Sequence, residues 1–278
     1  MSDMNLFAGL LRTNSKFRDS GDAVQIEYRT NADDRDYLRK YRIRETAGAG
    51  TDFERAARLL QWVAAHIVHN GNFDNHIAPT APDLLAYAYD QGAAHGINCR
   101  CLAALLTECL LACGMKARTV YLFPMSPYDC DNHVVTEVYA SELAGWVMLD
   151  PTYGLYLMTD KRPMSIAEIR SALAARKRPG LNPEAHYNGN PVDPDALFDY
   201  YAKDFYSFQV LTVQAPAAEC DPNACGVHIV PEGYDVAERV LANMEYRGSV
   251  TPEQLAQAAE CIRSIHFICK DLQFLYGE

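Results

Sequence analysis

The sequence has no run of more than three basic residues and no apolar run long enough to cross a membrane. Acidic residues outnumber basic ones by 36 to 25, and the formal net charge is −11. Such a chain is a poor match for the negative surface of a nucleic acid or an anionic membrane, so we expect neither as a partner. The longest apolar stretch, residues 101–113, is interrupted by Thr107 and Glu108 and is shorter than the roughly 20 residues that a spanning helix needs. The first residues also lack the basic segment of an export signal, so we expect a cytoplasmic protein.

An even, closely spaced set of cysteines, which is typical of disulfide-rich exported domains, is absent as well. The nine cysteines are an odd number spread over 278 residues. Cys109 and Cys113 have the spacing of one apolar helix stripe, and Cys261 and Cys269 are predicted to share another. In a reducing compartment a disulfide framework is not expected.

Apolar periodicity predicts helices on both sides of a group of strands. Four of the predicted helices begin at good capping residues, and these are Thr51, Asn98, Ser165 and Thr251. Strands are predicted over residues 117–123, 133–139 and 145–150, and the short connection between the last two favours an antiparallel pair. The apolar positions after Thr251 predict a helix that continues to about Leu272, nearly to the end of the chain.

Three residues of the central stretch have the chemistry of a thiol enzyme. Cys99 follows the cap Asn98, so it lies in the first turn of a helix, where free N–H groups and the helix dipole favour a thiolate and can bind an oxyanion. His133 begins one predicted strand and Asp150 ends the next. If these strands pair, the histidine can take the thiol proton while the aspartate orients its ring. We therefore predict a catalytic triad of Cys99, His133 and Asp150.

The same stretch resembles the transglutaminase-like superfamily over about residues 50–160. The resemblance rests on three ordered blocks, NCRCLAALLTECLLACGMKAR from residue 98, HVVTEVY from residue 133 and GWVMLDPT from residue 145. The first places a cysteine at the start of a helix that a glycine ends, and the last has the family's W-x-x-x-D-P-T pattern. One departure is that Cys101 and Leu102 stand where family members often have an acid and an aromatic residue.

The resemblance implies an α+β, papain-like fold in which the nucleophile helix packs on an antiparallel sheet, with helical additions at both ends. We expect a strand and helix extension at residues 1–50 and the catalytic core at residues 51–175. A mostly helical extension at residues 176–278 is expected to pack on the core and shape the cleft. Members of the family work through an acyl-thioester, which either water or an amine resolves.

Several further residues are candidates for the site. Cys101 competes with Cys99 as the nucleophile, but the spacing to the helix-ending glycine favours Cys99. Trp62 and Asn98 are candidates for an oxyanion or cleft role, and for Trp62 a core position on an apolar helix face is the more conservative interpretation. His69, with Asn70 and Asn72, could reach the cleft from a loop.

Two cysteine groups allow other chemistry. Cys99 and Cys101 could form a zinc set with Cys130 and His133, although the spacing is not that of a known zinc finger. Cys220 and Cys225 could form a redox or metal pair, but a turn with incidental cysteines is the favoured interpretation. We therefore expect no metal and no cofactor.

The favoured function is a cysteine-dependent hydrolase of a peptide, a protein or a small amide. The first alternative is a transglutaminase or another acyltransferase that passes the acyl group to an amine. The second alternative is a catalytically silent binding scaffold that retains the fold. The sequence leaves the substrate and the oligomeric state open.

Overall fold

The computed structural model describes residues 4–30, 36–246, 248 and 250–277, and in this part of the chain helices surround a central antiparallel sheet. This architecture confirms the predicted α+β class. The helices are α1 Met4–Thr13, α2 Asp36–Lys40, α3 Ile43–Ala47, α4 Asp52–His66, α5 Ala81–Leu84, α6 Cys99–Ala112, α7 Ile166–Ala174, α8 Pro194–Asp204, α9 Val236–Tyr246 and α10 Pro252–Ser264. The strands are β1 Glu27–Tyr28, β2 Ala117–Phe123, β3 His133–Ala140, β4 Gly145–Leu149, β5 Leu157–Thr159, β6 Arg162–Pro163, β7 Gly180–Leu181, β8 His186–Tyr187, β9 Asn190–Pro191, β10 Ser207–Leu211, β11 Val213–Gln214 and β12 Gly226–Ile229.

The central sheet has five strands in the order β12-β10-β2-β3-β4. All neighbouring strands in it are antiparallel, so the predicted pairing of β3 with β4 is confirmed. Thr136 of β3 pairs with Leu149 of β4, which brings His133, at the start of β3, to the same end of the sheet as Asp150, just after β4.

Both faces of the sheet are covered, so β3 has no solvent-exposed polar side. Every residue of β3 except Tyr139 is buried. One face packs on α4 and α6 through residues such as Val138, and the other packs on α7 and α8 through residues such as Val135. A strand buried on both faces has no alternating solvent side, so its register is set by two cores at once.

The central helix α6 is buried along most of its length, including the two polar residues in its apolar run. Thr107 Oγ1 lies 3.2 Å from Thr136 Oγ1 on the sheet. Glu108 Oε2 accepts a hydrogen bond of 2.9 Å from the Ala81 N–H at the start of α5. Because these groups have partners, the helix can be enclosed without a large desolvation penalty, and Cys99 is held on a rigid element.

The C-terminal helix is shorter than predicted. The expected helix to Leu272 is wrong, since α10 ends at Ser264. The following residues are extended and pair with the edge strand, where the His228 N–H donates to the Ile268 carbonyl at 2.9 Å. This pairing buries Cys269 in the sheet core while Cys261 stays exposed on α10, so the two cysteines do not share a helix stripe. The apolar spacing after Ser264 fits a helix, but these residues form backbone hydrogen bonds with the sheet edge instead.

Residues after 175 contribute more than a covering layer. Strands β10 and β12 come from this segment and extend the central sheet beyond β2. Helix α8 of the same segment packs on α7 and on the N-terminal helix α1. The division at residues 50 and 175 stays a prediction, and the sheet itself crosses the second boundary.

The described part of the chain contains no helix that is both long and apolar enough to cross a membrane. The nine cysteines are all free thiols.

A buried ion pair joins the central strands to the rest of the core. Arg118 of β2 and Glu137 of β3 are 1% and 0% exposed, and Arg118 Nη2 lies 2.6 Å from Glu137 Oε2. The other carboxylate oxygen accepts hydrogen bonds from the Ile166 N–H at 2.9 Å and the Tyr276 hydroxyl at 3.0 Å. The Arg118 guanidinium also lies 3.8 Å from the ring centroid of Trp146. Arg118 is therefore a structural residue of the core.

Replacing Arg118 by Leu should lower the free energy of unfolding by about 3–5 kcal/mol, because the charge of Glu137 is left buried without its cation. Urea denaturation followed by circular dichroism measures this change. The control is Arg162→Leu, which removes an exposed ion pair with Glu168 and should change stability by no more than about 1 kcal/mol. Equal effects of the two substitutions would show that the buried pair has no special role.

Candidate active site

Cys99, the candidate nucleophile, is the first residue of α6. Asn98 caps this helix, since its Oδ1 accepts a hydrogen bond of 3.1 Å from the Cys101 N–H. The Asn98 amide nitrogen in turn donates to Asn75 Oδ1 at 2.9 Å. The Asn98 side chain therefore holds the start of the helix in place, and the Cys99 thiol lies 3.9 Å from the Asn132 carbonyl oxygen, next to His133.

His133 and Asp150 form a buried pair at the end of the sheet. His133 Nε2 lies 2.6 Å from Asp150 Oδ2, and the two side chains are 2% and 0% exposed. This contact uses Nε2 and leaves Nδ1 available on the His133 ring. An interaction between His133 and Cys99 lowers the pKa of Cys99 and raises that of His133. The structure thus brings together all three residues predicted from the sequence.

Two further groups bind the Asp150 carboxylate. The Tyr201 hydroxyl donates to Asp150 Oδ2 at 2.5 Å, and the Thr152 N–H donates to Oδ1 at 2.9 Å. Tyr201 lies on α8, and the sequence analysis did not identify it. Tyr201 is far from Asp150 along the chain, so no local pattern predicts the contact. The sequence around Tyr201 indicates only a buried position on an amphipathic helix.

The directions of the two pKa shifts favour a charged pair despite its burial. Burial alone would raise the pKa of Asp150, but His133 and the Tyr201 hydroxyl outweigh it and lower that pKa below its usual range. Burial would likewise lower the pKa of His133, but Asp150 and Cys99 raise it well above the ordinary value. The geometry therefore favours an imidazolium held between a carboxylate and a thiolate.

The thiol of Cys99 is acidic for a related reason. Burial is the largest influence and would raise its pKa, but hydrogen bonds with His133 and His69 outweigh it and lower the pKa to about 6. Near neutral pH the side chain is therefore largely a thiolate, the form that attacks a carbonyl carbon. The rings of Tyr200 and Tyr153 lie 5.4 Å and 6.1 Å from His133, measured between ring centroids, and help to keep water away from it.

The rival nucleophile Cys101 lies in a different environment. Its side chain is fully buried, and its sulfur lies 3.7 Å from Asn75 Oδ1. Burial, the largest influence, raises the pKa of this thiol to about 11. Two cysteines separated by one residue thus differ strongly in acidity, and the difference favours Cys99.

Trp62 lies against other aromatic residues of the first core. Its ring stacks on Tyr89 at 5.3 Å and lies 5.3 Å from the His66 ring. Among the described residues, the ring–ring contacts of Trp62 are with Tyr89 and His66 and do not include His133. His69, which the sequence indicated only as part of a loop, is the upstream residue that interacts with the thiol.

The alternative cysteine groups do not gather into a metal site. Across the described ranges, no group of three or more His, Cys, Asp and Glu residues could hold a metal ion. Cys130 points towards backbone carbonyls, with its sulfur 3.7 Å from the Ala242 oxygen. Cys220 and Cys225 are exposed free thiols near a turn.

A thiol at a helix start, beside a buried histidine and aspartate at the end of an antiparallel sheet, defines an α+β arrangement of the papain-like type. Residues 39–151 match the model of the transglutaminase-like superfamily. This match to residues 39–151 confirms the predicted resemblance. The structure is also similar to that of a presumed cysteine protease from Cytophaga hutchinsonii, with a TM-score of 0.33 and 17% identity. That match covers 46% of this chain and 39% of the other, so it spans well under half of the solved structure. No curated protein matches the sequence.

Alkylation by iodoacetamide, with the site located by mass spectrometry, should follow the ionisation of Cys99. The thiolate form is present above a pKa of about 6, so the rate should rise through that pH and then level off. In His133→Ala the thiol loses its main stabilising partner, and the midpoint should move to above about 8.5, the value of a free cysteine. A midpoint that is the same in both proteins would contradict the thiolate–imidazolium pair. Cys101 serves as the internal control and should react slowly at neutral pH because of its burial.

Proposed function

We propose that the protein is a cysteine-dependent hydrolase of amide bonds in peptides, proteins or small amides. One observation supports this most strongly, namely that the acidic thiol of Cys99 lies beside a buried, charged His133–Asp150 pair. Structural cysteines are usually buried and unreactive. Cys101 and Cys109 are fully buried, and burial raises the pKa of both thiols. The superfamily assignment of residues 39–151 agrees with thiol chemistry at this position.

In the proposed acylation step, the Cys99 thiolate attacks the carbonyl carbon of the substrate. A carbon–sulfur bond forms and the carbonyl electron pair moves to the oxygen, which gives a tetrahedral oxyanion. When the oxyanion collapses, the carbon–nitrogen bond breaks and the amine leaves with a proton from the His133 imidazolium. The products of this step are a free amine, an acyl-thioester on Cys99 and a neutral His133.

In the proposed deacylation step, neutral His133 takes a proton from water while the water oxygen attacks the thioester carbon. Collapse of the second tetrahedral intermediate breaks the carbon–sulfur bond and releases the acid. The thiolate and the imidazolium are thereby restored. Asp150 keeps its charge throughout and orients the ring, with Tyr201 and the Thr152 N–H holding its carboxylate.

Replacing Cys99 by Ala should lower the hydrolysis of p-nitrophenyl acetate, and of any amide substrate found in a fluorogenic peptide library, by at least about 10³-fold. The matched control is Cys101→Ala, which removes a buried thiol from the same helix turn and should retain activity within about threefold. Mass spectrometry of the acylated wild-type protein should place the acyl group on Cys99. Activity that persists in Cys99→Ala, or that disappears equally in Cys101→Ala, would reject the assignment.

An acyltransferase is the main alternative, since an amine can replace water in the second step. We rank hydrolysis first because water needs no dedicated acceptor site. Adding a primary amine such as glycine ethyl ester during turnover should leave the free acid as the main product, measured by mass spectrometry. A transfer product that dominates at millimolar amine would reverse this ranking.

A further inference from the structure

His69 is held beside the start of α6 by backbone pairing. The Ile97 N–H donates to the Val68 carbonyl at 3.0 Å, and the Asn70 N–H donates to the Ile97 carbonyl at 2.9 Å. His69 is thereby bridged to a residue two positions before Cys99. Gly96 permits this close approach, because a Cβ atom there would lie only 2.8 Å from the Val68 oxygen.

A hairpin from the C-terminal segment fixes His69 from the other side. Strands β8 and β9 pair across a turn at Asn188 and Gly189, whose φ angles of 49° and 81° suit a tight two-residue turn. The His69 N–H donates to Asn188 Oδ1 at 2.8 Å, and Asn188 Nδ2 donates to the His69 carbonyl at 3.0 Å. The Asn188 side chain therefore forms hydrogen bonds with both the backbone N–H and the backbone carbonyl of His69.

The same hairpin also supplies a hydrogen-bond partner for the imidazole ring. The Tyr187 hydroxyl lies 3.0 Å from His69 Nδ1. When Tyr187 donates this hydrogen bond, Nδ1 is the acceptor and the ring proton of neutral His69 is on Nε2. Nε2 is then the ring N–H that the Tyr187 contact leaves available. His69 is also one of the two histidines that lower the pKa of the Cys99 thiol.

We infer that His69 is an oxyanion donor of this site and acts together with the Cys99 backbone N–H. The Cys99 N–H lies in the first helical turn and has no carbonyl partner within the helix. During attack the negative charge moves from the sulfur to the carbonyl oxygen, and the His69 Nε2–H donates its hydrogen bond to that oxygen. No proton is transferred to or from His69 in this step. The inference rests on the proposed hydrolase function and assigns to His69 the role considered for Trp62, whose ring stacks on Tyr89 instead.

Two probes separate an oxyanion role from an effect on the thiol alone. Acylation by p-nitrophenyl acetate passes through a tetrahedral oxyanion, whereas alkylation by iodoacetamide needs the thiolate and forms no oxyanion. Both rate constants are measured across pH and compared on their plateaus, where the thiol is fully ionised. A shift in thiol acidity moves both profiles along the pH axis, and the loss of an oxyanion donor lowers only the acylation plateau.

In His69→Leu the acylation plateau should fall by about 10²-fold, the usual cost of one oxyanion donor, with the alkylation plateau within about twofold of the wild type. His69→Gln keeps an N–H donor and should recover at least a tenth of the wild-type acylation rate. Tyr187→Phe removes only the hydrogen bond to Nδ1 and should lower acylation by about fivefold. The control is His66→Leu, an exposed histidine on α4, which should leave both rates unchanged.

The outcomes are distinguishable. If the wild type is not acylated on Cys99, the proposed function fails and the role of His69 fails with it. If the wild type is acylated and His69→Leu has the same acylation plateau, or loses both plateaus equally, only the role of His69 is overturned. Should His69→Leu not fold, His69→Gln and Tyr187→Phe decide the question, since wild-type acylation in Tyr187→Phe together with no recovery in His69→Gln overturns the inference.

Discussion

The contact between His133 and Asp150 is the constraint to which the rest of the site is fitted. A fully buried carboxylate is costly unless cations and donors surround it. Here the imidazole, the Tyr201 hydroxyl and the Thr152 N–H meet this requirement from three directions. Each partner depends on a different part of the fold, because β3 supplies the histidine, the turn after β4 supplies the N–H and α8 supplies the hydroxyl. The sheet register and the docking of α8 are therefore conditions for a charged site.

The local parts of this arrangement could be predicted from the sequence, and the long-range parts could not. The capped start of α6 and the ends of β3 and β4 depend on neighbouring residues, so Cys99, His133 and Asp150 were placed correctly on their elements. Tyr201 and the Tyr187 contact with His69 depend on how distant segments pack, and no periodicity records that. The prediction of a C-terminal helix that continues to Leu272 is wrong for a similar reason. Residues 268–270 pair with a sheet edge, and this pairing outweighs the local helix propensity.

Cys99 and Cys101 show how little the first turn of a helix decides alone. Both sulfurs lie within the same turn and experience the same helix dipole, yet the pKa is lowered to about 6 for one and raised to about 11 for the other. The difference comes from their partners, because Cys99 has two imidazoles and Cys101 has an amide oxygen within a buried environment. Hydrogen-bonded partners therefore outweigh the dipole, which is worth at most about 2 kcal/mol. A cysteine at a helix start becomes a credible nucleophile only when such partners are identified.

The origin of Tyr201 and the residue 186–191 hairpin in the later part of the chain has a consequence for biosynthesis. A ribosome that has completed residues 1–175 has made Cys99, His133 and Asp150, but it has made neither the hydroxyl that binds Asp150 nor the clamp on His69. Strands β10 and β12 of the central sheet are also still missing at that stage. Because folding proceeds as the chain emerges, the nascent polypeptide has its thiol and both histidines before Tyr201 and Asn188 can fix Asp150 and His69 in place. The order of translation thus delays the completion of the site until the segment after residue 175 has been made.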